Sequence, residues 1–179
     1  MLREILKPAA ALLIVTFIVT SLLGLTYWVT AEPIAEMRIK TERETVRRLM
    51  PETEMMVDLQ AELTGIIQKK IACYADDILI GYIITAAPIG YGGPIEIMVA
   101  FDVNGVVRDA EVLRHKETPG LGDDAVKHPF LGQFAGKSGR FALGEIDTVT
   151  SATVSSLAVA EGIRAASAYI DEFIWGQKP

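Results

Sequence analysis

Three stretches of this chain set glycines and small hydroxyl-bearing residues where packing has no need of them. The first is Pro88-Ile89-Gly90-Tyr91-Gly92-Gly93-Pro94. Glycine admits positive φ and lets a backbone come close to a flat ligand, although a plain loop between strands would read the same way. The second is His115-Lys116-Glu117-Thr118-Pro119-Gly120-Leu121-Gly122. Pro-Gly favours a tight turn, and Glu117 and Thr118 could hydrogen-bond the polar edge of a ring system while Leu121 covers its face. A solvated turn is the alternative. The third is Asp147-Thr148-Val149-Thr150-Ser151-Ala152-Thr153, at the mouth of a predicted helix. The first amides of a helix lack partners and sit at the positive end of its dipole, so a phosphate is a natural occupant. Ordinary capping by Ser and Thr would use the same residues.

Other side chains offer less. His115 has no neighbour resembling a triad partner, and no residue stands out as a general acid or as a nucleophile in turnover. Cys73 is the only cysteine and His115 and His128 the only histidines. No Cys/His spacing suggests a metal site, so no metal is expected, and Cys73 reads as a small buried residue on a strand. The chain carries a net charge of −6 and no basic run, which argues against nucleic acid as a partner.

The elements that must position these stretches can be read from patterning. In a chain of 179 residues, about one domain's length, half the residues are apolar and the mean hydropathy is positive. Ala9 to Ala31 carries no charge, and about 20 apolar residues cross a bilayer core. Tyr27 and Trp28 suit an interface. The run exceeds the ~7–15 residues of a signal-peptide core, so an uncleaved anchor is expected; a cleaved signal would likewise export the rest. Positive charges lie on both sides of it (Arg3 and Lys7; Arg38, Lys40, Arg43, Arg47 and Arg48), so charge does not choose its orientation.

Glu32 to Met50 reads as a polar helix with Pro33 in its first turn and Pro51 at its end; Glu52 to Leu63 is ambiguous. Gly65–Tyr74, Ile78–Ala86, Ile95–Phe101 and Val106–Leu113 predict an antiparallel sheet of about four strands, with Asn104-Gly105 as a hairpin signal. A short helix is expected near Asp123–His128. Thr153 to Ile174 reads as a helix with an apolar side of Leu157, Ile163, Ala166, Ile170 and Phe173, capped by oxygens from Asp147 and the Thr/Ser run. Phe101, Phe130 and Phe134 are expected in the core. The fold class is α+β, with boundaries at 1–8, 9–31 (transmembrane helix), 32–64 (helical stalk or linker) and 65–179 (the ligand-binding domain).

Taken in order, the three stretches resemble the FMN-binding domain of the G-type subunit of the Rnf electron-transport complex, a domain shared with the C-type subunit of the sodium-pumping NADH:quinone oxidoreductase. The single anchor and the chain length fit the former. The resemblance spans essentially the whole chain and is strongest over residues 78–175. It implies FMN joined through its phosphate to the last threonine of an Asp-x-x-Ser/Thr-Gly-Ala-Thr motif by a flavin transferase that takes FMN from FAD. The matching positions are Asp147, Thr150, Ser151, Ala152 and Thr153, with Ser151 standing where the pattern has glycine. Glu117, Thr118, Gly120, Leu121, Tyr91 and Gly92 would hold the ring.

The resemblance further implies residues 1–8 in the cytoplasm and the C-terminal domain on the periplasmic or extracellular side of the plasma membrane. It implies membrane and redox partner subunits, and a relay role in coupling electron flow between ferredoxin and NAD to ion pumping. This protein would be no complete enzyme alone. A ligand-binding module without redox chemistry, a structural assembly component and a stand-alone flavin carrier are the competing readings.

Overall fold

A computed structural model describes residues 2–59, 65–139 and 141–176. Parts of the expected termini (residue 1 and 177–179) and of the linker (60–64) lie outside the described residues. The chain forms two compact units, Met1–Thr41 and Glu42–Pro179.

The first unit is helical. One continuous helix, α1 (Leu2–Leu49), replaces the two expected, and Pro33 lies inside it instead of opening a second helix. Proline in a helix interior removes one backbone hydrogen bond, but Ala31-Glu32 before it and Ile34 to Met37 after it continue the helical path. From Leu6 to Thr30 every side chain is exposed, and the segment is long and apolar enough to cross a membrane. Its threonines need no outside partner. The hydroxyls of Thr16, Thr20, Thr26 and Thr30 donate to the carbonyl four residues earlier at 2.7–2.8 Å, which removes the polar cost of placing them in an apolar medium.

The second unit is built on an antiparallel sheet ordered β1 (Met55–Asp58), β2 (Ile67–Ala75), β3 (Ile78–Ala86), β4 (Glu96–Asp102) and β5 (Val107–Arg114). There are five strands where four were expected. β1 falls in the stretch that sequence left ambiguous: it is short and mostly exposed, so it lacks the alternation that marks a half-buried strand. Asp76 and Asp77, both at positive φ, make the β2–β3 turn. At the Asn-Gly hairpin the Asp102 side chain accepts from the Asn104 and Val106 N–H groups, and Gly105 takes positive φ.

Both faces of the sheet are covered, which explains the unbroken apolar run of β4. Ile97, Val99 and Phe101 point to one face and join Ile84, Phe130, Phe134, Ile163, Ala166 and Ile170. Met98 and Ala100 point to the other and join Ile71, Cys73 and Ile83 beneath Val46, Leu49 and Met50. The first face is closed by α3 (Thr153–Trp175), with the 3₁₀ turn Gly122–Val126 and the single-turn α2 (His128–Leu131). The second is closed by the end of α1, so residues read from sequence as stalk belong to the globular unit. Arg48 grips Glu111 with two donors, and Lys69 joins Glu42 and Asp58. Exposed pairs of this kind contribute under about 1 kcal/mol each, so the buried Val46, Leu49 and Met50 hold the helix end.

Leu157, expected on the apolar side of α3, is exposed. Cys73 is buried on β2, and Phe101, Phe130 and Phe134 are core. Less expected is Lys70, also on β2 and buried. No carboxylate pairs with it among the described residues; its Nζ lies 3.3 Å from the ring centroid of Phe173 and 5.5 Å from that of Tyr169. Burial pushes its ammonium below the ordinary lysine range. A cation over an aromatic face gains about 2 kcal/mol when desolvated, less than the several kcal/mol that burying an ammonium costs. Lys70→Met is therefore expected to stabilise by about 1 kcal/mol at pH 7, a rise in Tm of roughly 2–4 °C. The unfolded chain keeps its proton to higher pH than the folded one. The wild type should accordingly close the gap as pH rises from the depressed folded value toward the ordinary lysine value. Thermal melts of both proteins across neutral and alkaline pH check this.

Candidate functional site

The ends of β3 and β5 and the start of β4 lie at one end of the antiparallel sheet, and the loops that leave them meet the N-terminus of α3. Between them is a cleft of about 340 Å³ lined by Tyr91, Thr118, Leu121, Gly122, Ser151, Ala152, Thr153, Val154 and Ser155. Its size falls within the range of small-molecule sites, roughly 300–1,000 Å³.

Six of the residues singled out from sequence line it: Tyr91, Thr118, Leu121, Ser151, Ala152 and Thr153. Thr153 is the first residue of α3 and is exposed at the cleft. Ala152 occupies the cap position and no side chain caps the helix, which corrects the expectation that Asp147 and the Thr/Ser run supply capping oxygens. Instead the Ser156 hydroxyl accepts from the Val149 N–H at 3.0 Å. The first-turn amides of α3 are thus left without a side-chain acceptor beside the cleft, where an anion would find donors and a favourable dipole. Asp147 lies off the cleft: its N–H donates to Gln133 Oε1 at 2.9 Å and its carbonyl accepts from Gln133 Nε2 at 3.1 Å. Thr150 is exposed and also outside the lining.

Ser151 holds a φ of +69°. That left-handed conformation is where glycine is at ease and an L side chain costs roughly 1–2 kcal/mol. A glycine at this position would hold the same backbone without that cost.

The loop from Glu117 to Gly122 contains the expected turn: Leu121 N–H donates to the Thr118 carbonyl at 3.1 Å, with Pro119 at the first corner and Gly120 at φ +74°. The Gly120 N–H also donates to Asp123 Oδ1 at 2.7 Å. Asp123's carboxyl is held below its usual range, chiefly by the Lys127 ammonium. Gly120 itself does not face the cleft.

Glu117 does not line the cleft either. It is buried beneath it, where its Oε1 accepts from the Gly92 N–H at 3.0 Å and its Oε2 from the Ser155 hydroxyl at 2.7 Å. Gly92 is needed for backbone proximity: a Cβ there would strike the Lys116 carbonyl. At Gly90 and Gly122 a Cβ would strike the Glu117 carboxylate. Gly122, the last residue of the second stretch, also lines the cleft, as do Val154 and Ser155, which lie beyond the three stretches. The contact of Ser155 with Glu117 spans 38 positions, and no local pattern announces it.

Two variants test this reading of the backbone. Ser151→Gly should raise stability by about 1 kcal/mol. Gly122→Ala should lower it by about 1–3 kcal/mol, because the added methyl displaces a buried hydrogen-bonded carboxylate. Urea unfolding of each variant reads both effects.

Residues 90–168 match the family model described as an FMN-binding domain, and residues 1–47 match the RnfG N-terminal region. The G-type subunit of an ion-translocating oxidoreductase complex from Shewanella loihica is 30% identical over 195 residues, covering 96% of this chain and 92% of the relative. Its counterpart in the proton-translocating ferredoxin:NAD(+) oxidoreductase complex of Clostridium ljungdahlii is 29% identical, covering 93% and 91%. The counterpart in the Na(+)-translocating ferredoxin:NAD(+) oxidoreductase complex of Acetobacterium woodii is 25% identical, covering 90% and 89%.

Proposed function

The chain belongs to the RnfG family, the G-type subunits of ion-translocating oxidoreductase complexes, and from that membership we propose that it is the flavoprotein subunit of such a complex, carrying FMN on Thr153. The observation that carries the assignment is the position of Thr153: an exposed hydroxyl at an uncapped helix N-terminus, on the wall of a cleft to which both glycine-rich stretches and the Thr/Ser stretch contribute.

The residues present fit FMN. The amides of Thr153, Val154 and Ser155 suit the phosphate, the backbone at Ser151 turns the chain sharply into the helix, and Tyr91, Leu121 and Thr118 offer apolar and polar contacts to a ring. Bound FMN supplies one- or two-electron chemistry; the protein supplies position and electrostatics. A tether through the phosphate leaves the ring free and keeps the cofactor from diffusing away outside the cytoplasm, where we place the unit Glu42–Pro179.

Attachment is a single event in maturation, catalysed by a flavin transferase. The Thr153 oxygen attacks the flavin-side phosphorus of FAD, the pyrophosphate bond breaks, AMP leaves, and the hydroxyl proton is released. The exposure of Thr153 gives that enzyme access. We further propose that the apolar part of α1 anchors the chain in the membrane beside the other subunits. The relatives' names differ in the ion moved, so none is assigned here.

Intact and peptide mass analysis of the full chain co-expressed with a flavin transferase is the direct test. An FMN adduct is expected at Thr153 and should vanish in Thr153→Ala. A wild type that stays flavin-free beside an active transferase would sink the proposal in favour of a non-redox ligand-binding or structural role.

A further inference from the structure

Glu117 combines three properties that packing does not demand. Its side chain is 5% exposed. Both its oxygens accept, one from a backbone N–H and one from a hydroxyl, a pattern suited to the ionised group. No cation pairs with it among the described residues. A buried charge without a counter-ion is costly, and a neutral amide could hold the same two segments without that cost. Ser155, the group that donates to it, is on the cleft wall, as is Gly122, whose absent side chain makes room for it. The side chains that line the cleft are all uncharged. The Glu117 carboxylate is therefore a charge set behind the cleft wall, in contact with the lining residue Ser155.

We propose that Glu117, acting through Ser155, is a positioning and electrostatic residue of the flavin site. It locks the Gly90–Gly93 loop and the first turn of α3 in place, and its charge opposes the arrival of electrons in the cleft. The inference rests on the flavin reading of the site. Reduction adds negative charge to a ring held here, and a fixed like charge in a low-dielectric floor disfavours it. The first-turn amides of α3 act in the opposite sense at the phosphate end. Together they favour tight holding of the phosphate and a low potential at the ring.

The test uses full-length wild type and Glu117→Gln, co-expressed with a flavin transferase and purified in detergent. Mass analysis reads attachment, and a redox titration followed by flavin absorbance reads the midpoint potential. Glutamine keeps the size and removes the charge, so the loaded variant is expected to titrate at a more positive potential than wild type. A loaded variant at the wild-type potential, or below it, overturns the proposal while leaving the flavin reading intact. A wild type with no flavin adduct overturns the flavin reading and this inference with it, and the mass spectrum tells that case apart before any titration.

If Glu117→Gln does not fold, Ser155→Ala decides. It keeps the charge and removes the hydroxyl dipole that screens it, so its potential should shift to more negative values. No shift, or a shift upward, would count against Glu117.

Discussion

A single buried carboxylate ties together segments that are far apart in the chain. Glu117 reaches the Gly90–Gly93 loop through the Gly92 N–H and α3 through the Ser155 hydroxyl. A net hydrogen bond contributes only about 0.5–1.5 kcal/mol, but an abandoned buried acceptor costs more than a made one gains. The arrangement is therefore close to all or none. Several glycines follow from it: Gly90 and Gly122 leave room for the carboxylate and Gly92 leaves room for the backbone beside it. What looks in sequence like a flexible glycine-rich loop is a closely fitted one.

The sheet supplies the frame that makes this fit possible. Its strands are antiparallel throughout, so the loop joining β3 to β4 and the loop after β5 are brought to one end. α3 crosses one face, and Gly162 lets it approach closely: a Cβ there would meet the Pro88 ring at 2.7 Å. The middle of the helix packs against Pro88 of the first glycine loop, and its first turn is tied to Glu117 through Ser155. Rigid elements thus hold a cleft whose lining is mostly loop, a common division of labour between scaffold and site.

Much of this was legible in the residues. The uncharged run from Ala9, the strands from Gly65 onward and the helix from Thr153 follow from period and propensity. Tyr91, Thr118, Leu121, Ser151, Ala152 and Thr153 converge on one cleft. Where sequence reasoning fell short, the cause was tertiary. Pro33 looked like a helix start because proline favours first turns, yet the flanking residues carry the helix through it. β1 was hidden because an exposed edge strand needs no apolar alternation. Asp147 looked like a cap because acidic and hydroxyl residues favour that role, but Ala152 takes the cap position and Ser156 points backward to the loop. The contact of Ser155 with Glu117 was not visible because the two lie far apart in the chain. Ser151 shows the converse: the resemblance marked it as a departure, and only its φ shows what the departure costs.

Val46, Leu49 and Met50, at the end of α1, cover Ile71, Cys73 and Ile83 in the second core. The lone thiol of the chain is therefore sealed under the last turn of α1, and burial pushes its pKa upward. That makes Cys73 a built-in reporter. Its rate of alkylation measures how often the helix end lifts off the sheet, without any label being added.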